Sequence, residues 1–149
     1  MNRPLLLAAV ALLCLLAACT AFDRGNKYMS RERHERAIAD FDQALRLNPN
    51  DAVAYYNRGD AYVELKQHER AIADYDQALR LDPKDAVAYY NRGAAYADLE
   101  QHERAIADYD QALRLDPNDA GAYNNRGLAY AELGQPELAI ADHEQALRL

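Results

Sequence analysis

Residues 52–85 read AVAYYNRGDAYVELKQHERAIADYDQALRLDPKD, and residues 86–119 read AVAYYNRGAAYADLEQHERAIADYDQALRLDPND. The two stretches are identical at 29 of 34 positions and differ only at Asp60/Ala94, Val63/Ala97, Glu64/Asp98, Lys66/Glu100 and Lys84/Asn118. Working outward at the same period, residues 18–51 fall in register with an eroded opening helix, and residues 120–149 follow it but stop four residues short. The chain therefore reads as three full-length units and a truncated fourth, behind a leader at 1–18. A unit of this size cannot bury its apolar side alone, and about three stacked copies are the minimum for a stable core.

Within a unit the punctuation is clear. Asp51, Asp85 and Asp119 stand as N-caps before alanine-rich runs, and Pro49, Pro83 and Pro117 close the preceding helix. The second unit is then a helical hairpin, 52–65 and 68–81, turning at Lys66-Gln67. At about 100° per residue, Tyr55, Arg58, Gly59, Tyr62 and Leu65 share one arc of the first helix. Val53, Tyr56, Asp60, Val63 and Glu64 share another, so this helix has two working faces. In the second helix Ala71, Ile72, Tyr75, Ala78 and Leu79 form an apolar arc; Glu69, Asp74, Asp76, Gln77 and Arg80 lie opposite it and are expected to be solvated. By register, Asp108 in the third unit carries the same expectation.

The second unit carries Tyr55, Arg58, Gly59, Tyr62, Ala71, Tyr75, Ala78 and Pro83; the third carries Tyr89, Arg92, Gly93, Tyr96, Ala105, Tyr109, Ala112 and Pro117. The fourth has Tyr123, Arg126, Gly127, Tyr130, Ala139, His143 and Ala146, and the first has Ala21, Arg24, Gly25, Tyr28, Ala37, Phe41, Ala44 and Pro49. This series resembles the tetratricopeptide repeat (TPR) pattern W-x2-L-G-x2-Y, A-x3-F and a late proline, with substitutions. The resemblance covers essentially all of residues 18–149 and implies an all-α fold: a right-handed α-solenoid of stacked helix-turn-helix hairpins that binds proteins and does no chemistry. A glycine inside a helix costs about 0.5–1 kcal/mol relative to alanine, so one recurring at a fixed register must gain by packing. Gly59 opposite Ala71 is expected to let two helices approach, with tyrosines filling the wedges between repeats.

Acidic residues outnumber Lys and Arg by 24 to 17, for a formal charge of −7. With no basic stripe along any helix face, nucleic acid is excluded as a partner, and a basic or apolar protein surface fits better. The two cysteines, Cys14 and Cys19, lie in and just after the leader, so no disulfide framework is expected. In that leader Arg3 forms a short positive region, Leu5 to Ala18 is apolar, and charge returns at Asp23 and Arg24. Spanning a membrane takes about 20 apolar residues, so the leader reads as an export signal. Leu16-Ala17-Ala18-Cys19 resembles a bacterial lipobox, which implies cleavage before Cys19, a lipid on its thiol and a tether to the cell envelope. Ordinary cleavage near Ala18 and an uncleaved anchor are the alternatives. By the same resemblance Thr20, where an Asp retains lipoproteins at the inner membrane, favours the periplasmic face of the outer membrane.

His34, His68 and His102 recur once per repeat at the start of each second helix. Successive copies should lie roughly 10 Å apart, too far to share an ion whose histidine ligands sit near 2.1 Å, so packing is the expected role and no metal or cofactor is expected. No Ser or Cys has a neighbouring base, no glycine-rich phosphate loop occurs, and the carboxylates recur along a helix face rather than converge, so no enzyme is expected. The resemblance instead assigns a concave groove to Val53, Tyr56, Asp60, Val63 and Glu64; Val87, Tyr90, Ala94, Ala97 and Asp98; Gly121, Asn124, Leu128, Ala131 and Glu132; and Phe22, Asn26 and Met29. Tyr56 and Tyr90 suit a partly wet peptide groove, and Glu64, Asp98 and Glu132 form an acidic row along it. Phe22, Val87 and Asn91 stand where a carboxylate-clamping TPR has Lys, Lys and Arg, which argues against capture of an acidic tail. The alternatives to groove binding are a self-association module, a homodimer through the last repeat with its uncovered Leu138, Ala141, Leu147 and Leu149, and a fragment of a longer array.

Overall fold

The structure is a computed structural model in which residues 33–149, with Ala17 and Thr20, are described. Residues 33–149 form seven helices and no strand: α1 His34–Leu47, α2 Ala52–Glu64, α3 His68–Leu81, α4 Ala86–Asp98, α5 His102–Leu115, α6 Ala120–Glu132 and α7 Pro136–Ala146. The hairpin expected at 52–65 and 68–81 is therefore present to within one residue. Gly25, Tyr28, Cys19 and the rest of the leader and of the first repeat's opening helix lie outside the described residues.

Local chemistry fixes both ends of each first helix. The carboxylates of Asp51, Asp85 and Asp119 accept the backbone N–H of Ala54, Ala88 and Ala122, each at 3.0 Å. Such a cap is worth about 1 kcal/mol. At the other end Gln67 N–H reaches the Tyr62 carbonyl at 2.9 Å and Lys66 N–H the Val63 carbonyl at 2.8 Å. That is the Schellman arrangement, and it needs a left-handed residue between the helices. The position is Lys66 (φ 59°) and then Glu100 (φ 58°), and only in the fourth repeat a glycine, Gly134 (φ 69°).

Each helix packs on the next in sequence, within hairpins and between them. First helices also touch across repeats, α2 with α4 and α4 with α6, more than second helices do. A stack whose first helices are the closer set curves around them, so α2, α4 and α6 line its inner side. The core is alanine beside large rings: Tyr75, Tyr109 and Phe41 share one register position and are the largest fully buried side chains. They lie over the recurrent glycines. A Cβ on Gly59 would stand 2.8 Å from Tyr75 Cε1, and one on Gly93 would stand 2.9 Å from Tyr109 Cε1 and 3.2 Å from the Ala105 carbonyl. Ala37, Ala71, Ala105 and Ala139 are buried at the matching place on the second helices, and Tyr62 and Tyr96 are buried beside them. Tyr55, Tyr89, Tyr123 and Tyr130 are partly exposed.

One expectation fails. Asp74 and Asp108, assigned to the solvated arc, are about 5% exposed, and so is their equivalent Asp142, at 6%. The cause is the arginine that replaces leucine in the family pattern. Arg58 donates Nε and Nη2 to the two oxygens of Asp74 at 2.7 and 2.6 Å, and its Nη1 to Asp42 of the preceding repeat at 2.6 Å. Arg92 does the same for Asp108 and Asp76, and Arg126 for Asp142 and Asp110. Burial opposes the charge of Arg58, but the hydrogen bonds and charge of Asp74 and Asp42 outweigh it and hold the guanidinium above its ordinary value. Each arginine also lies over the tyrosine three residues before it, 5.5 Å from the Tyr55 ring centre in the case of Arg58. Of the expected polar arc, Glu69 and Arg80 are exposed, while Asp76 and Gln77 are partly covered.

Candidate functional site

The inner side is built by the second face of the first helices. Tyr56 lies against buried Tyr75 with ring centres 5.9 Å apart, and Tyr90 against Tyr109 at the same distance. Each leaves its hydroxyl within reach of the next repeat: Asn91 Nδ2 donates to Tyr56 Oη and Asn125 Nδ2 to Tyr90 Oη, both at 2.9 Å. Asn91 also donates to Asp60 Oδ1 at 3.1 Å, and Tyr75 Oη donates to the same oxygen at 2.6 Å. One polar network thus runs across the joint between the second and third repeats. Burial is the main reason that the Tyr56 hydroxyl is pushed well above the ordinary tyrosine value, and Asp60 adds to it.

Two cavities open along this side. The first, about 470 Å³, is lined by Asp60, Val63 and Glu64 with Asn91, Ala94, Tyr75 and His34. The second, about 230 Å³, is lined by Ala94, Ala97, Asp98, Leu128, Ala129 and Glu132, with Tyr109, Asn125 and His102 behind them. Of the residues expected in the groove, Asp60, Val63 and Glu64 are brought together at one joint, and Asp98, Leu128 and Glu132 at the next. Val53 and Val87, each 55% exposed, line neither cavity, and nor do Tyr56, Tyr90, Gly121 and Ala131. Asn124 lies 3.2 Å by its Oδ1 from His143 Nδ1 instead. Phe22, Asn26 and Met29 lie outside the described residues.

Asn91, Asn125 and the histidines were not among the expected groove residues. The signal for the asparagines was present: Asn57, Asn91 and Asn125 recur at one register next to the arginines. The histidine column and the acidic row also prove to be neighbours. His68 Nδ1 is 3.4 Å from Asp98 Oδ2 without forming a hydrogen bond, and at the same 30-residue offset His34 and Glu64 line one cavity and His102 and Glu132 the other. The Nδ1 atoms of all three histidines are buried without a hydrogen-bond partner. Among the described residues no three His, Cys, Asp or Glu side chains converge as a metal cage.

Asp60 is the costly group. Burial, the largest cause, pushes its carboxyl above 3.8 against the opposing hydrogen bonds of Tyr75, Asn91 and Tyr56. With the folded value above the unfolded one, the folded chain holds more protons between the two, so stability falls as pH rises through that window and stays lower at neutral pH. Asn keeps the acceptor without the charge. Asp60→Asn is therefore expected to melt higher than the parent at neutral pH, with the difference closing as pH falls toward 3.8. Thermal melts across that range check it, and a gap that ignores pH would contradict a buried charge.

A family model described as TPR repeat matches residues 25–66, 59–100 and 95–134, and one described as tetratricopeptide repeat matches 120–149. No curated protein sequence matches significantly. Among solved structures, a crystal structure of MamA is similar with a TM-score of 0.85 at 29% identity, over 88% of this chain and 77% of that one. MamA 41-end from Desulfovibrio magneticus RS-1 follows at 0.84 and 26%, over 89% and 75%. The first TPR of Spaghetti (RPAP3), bound to the HSP90 peptide SRMEEVD, is similar at 0.77 and 31%, over 80% and 94%.

Proposed function

Because this chain belongs to the tetratricopeptide repeat family, we propose that it is a protein-interaction scaffold whose inner groove holds a segment of another protein, and that a lipid on Cys19 tethers it to a bacterial envelope membrane. The observation that carries the first part is a pair of open cavities on one side of the stack, lined by Glu64 at one joint and by Asp98 and Glu132 at the next, with part-exposed Tyr56 and Tyr90 packed on their lining tyrosines, Tyr75 and Tyr109. Spaghetti's repeat takes a peptide ending in acidic residues. Here the groove is acidic, and Val87 and Asn91 replace the cations that would grip such a tail, so a partner with apolar and basic groups is the complementary choice. The tether rests on the small-small-cysteine ending of the apolar leader, and Thr20 favours the outer membrane.

The groove is tested by calorimetry with a partner captured from envelope extract. Tyr90→Ala is expected to weaken binding by about 2 kcal/mol, as a central aromatic does, and Asp98→Asn by less, mostly through association rate. Variants are compared only if folded by circular dichroism, and Glu69→Gln with Glu103→Gln serves as the control on the exposed back. Loss of binding in that control with normal binding by Tyr56→Ala and Tyr90→Ala would move the partner to the outer face. For the tether, Cys19→Ser should release the chain from membranes, and mass spectrometry should find acylated Cys19 at the mature N-terminus. Membrane association of an unacylated chain would refute it. A second reading, self-association through the last hairpin, draws on Leu138, Ile140 and Leu147, 48%, 59% and 88% exposed; sedimentation of the full chain decides it.

A further inference from the structure

The two groove cavities share one register; Val63/Ala97, Glu64/Asp98 and Ala94/Leu128 keep the class of side chain between them, and Asp60/Ala94 changes it. At the joint of the second and third repeats the floor carries Asp60; one repeat on, the same register is Ala94. The neighbours of Asp60, namely Tyr56, Tyr75 and Asn91, recur around Ala94 as Tyr90, Tyr109 and Asn125. The buried carboxylates Asp74, Asp108 and Asp142 each have an arginine. Asp60 faces only neutral hydrogen-bonding groups, Tyr75, Asn91 and Tyr56, and no described cation pairs with it. In the same cavity His34 is 3% exposed, and its Nδ1 has no hydrogen-bond partner. Glu64 stands at the rim.

Asp60 and Glu64 present acceptors alone. An acidic or neutral occupant would leave the Asp60 charge uncompensated as water is displaced. A guanidinium, always charged and carrying five donors in a planar fork, satisfies several separated acceptors at once, which a compact ammonium does less well. The second cavity carries Asp98 and Glu132 as exposed carboxylates, but at the register of the half-buried Asp60 it has Ala94, which borders both cavities, with Ala97 and Leu128 beside it, so its floor suits an apolar side chain. Adjacent joints lie roughly 10 Å apart, the spacing of packed helices, and an extended chain with the polyproline II twist advances about 3.1 Å per residue and returns to the same face every third residue.

We propose that the groove reads a two-point code on an extended, polyproline II-like segment of a partner protein: an arginine seated over Asp60 and, about three residues away, an apolar side chain seated in the cavity of Ala94, Ala97 and Leu128. This rests on the groove reading above and adds the identity, spacing and order of the residues recognised. The order follows because the two cavities are unlike and occupy fixed places along the stack.

The test uses the full chain and an array of Gly-Ser peptides, each with one Arg and one Leu in either order and at every separation. The parent is expected to prefer one order at a separation of about three, about tenfold over the same peptide with Glu in place of Arg. Asp60→Ala should lose that preference. The exchange Asp60→Ala with Ala94→Asp leaves net charge unchanged and places the carboxylate among Tyr90, Tyr109 and Asn125, so the preferred order should reverse at the same separation. Binding that ignores Arg, binding that ignores separation, or an exchanged chain that keeps the parent's order would each overturn the code. If a captured partner still depends on Tyr56 and Tyr90 while the array shows one of those results, the groove reading stands and the code fails; a partner indifferent to both tyrosines removes both.

Discussion

Gly93→Leu is expected to lower the unfolding free energy by about 3 kcal/mol, at the upper end of what overpacking a core usually costs. The Cβ alone would stand 2.9 Å from Tyr109 Cε1 and 3.2 Å from the Ala105 carbonyl, and neither neighbour can give way. Tyr109 is 1% exposed and belongs to a core cluster with Tyr96 and Ala105, while the carbonyl is fixed in α5. Leucine's helix propensity returns at most about 1 kcal/mol over glycine, so the clash decides the sign. For a domain of this size the loss corresponds to roughly 10 °C in Tm. Because the third repeat is internal, it should loosen both neighbours and broaden the transition. Calorimetric melts of Gly93→Leu beside Gly134→Leu separate packing from backbone effects, since a Cβ at Gly134 meets nothing within 4 Å and the strain there comes only from φ 69°. Equal losses with equally sharp melts would contradict close helix approach at Gly93.

Asp108→Ala is expected to cost about 2–3 kcal/mol, where a surface carboxylate would cost under about 0.5. The truncation removes both acceptors of a bidentate pair and leaves Arg92, whose side chain is 18% exposed, with only Asp76, itself 47% exposed. Partial exposure of the guanidinium holds the loss below that of a fully buried pair. Arg92→Leu alone should also destabilise, by leaving Asp108 buried without a counter-charge. Combining Arg92→Leu with Asp108→Ala should recover much of the loss, because both charges are then gone. Urea melts of the four chains form the cycle, and additive single effects would mean that the ion pair contributes nothing.

These two positions show what could be read before any coordinates. Gly93 was legible because a glycine recurring inside a helix has few explanations, and helix bounds were legible because Asp and Pro mark each end chemically. Asp108 was misread because a helical wheel sorts residues by angle and treats charge as solvated. Position 108 borders the apolar arc, and whether a carboxylate there is buried depends on an arginine sixteen residues earlier, on another helix. The departure from the family pattern, Arg in place of Leu at 58, 92 and 126, was the clue. In the groove, the arc that gathers Asp60, Val63 and Glu64 followed from periodicity. The asparagine bridges did not, since they join one repeat to the next and no single repeat contains them, and the orphaned histidine nitrogens did not, since burial of one ring atom is not written in a helical wheel.

The arginine clamps also bear on how such a chain grows. Each reaches back to a carboxylate on the second helix of the preceding repeat, Arg58 to Asp42, Arg92 to Asp76 and Arg126 to Asp110. Every internal unit therefore presents the donor at its head and the acceptor at its tail. A tandem copying event in the gene, provided it keeps the period, creates a junction already equipped with both halves of its fastening. No compensating mutation has to arise first. The 29 shared positions of the second and third repeats include both halves, Arg58/Arg92 and Asp76/Asp110, so the same unit can be inserted, deleted or reordered with its joints intact.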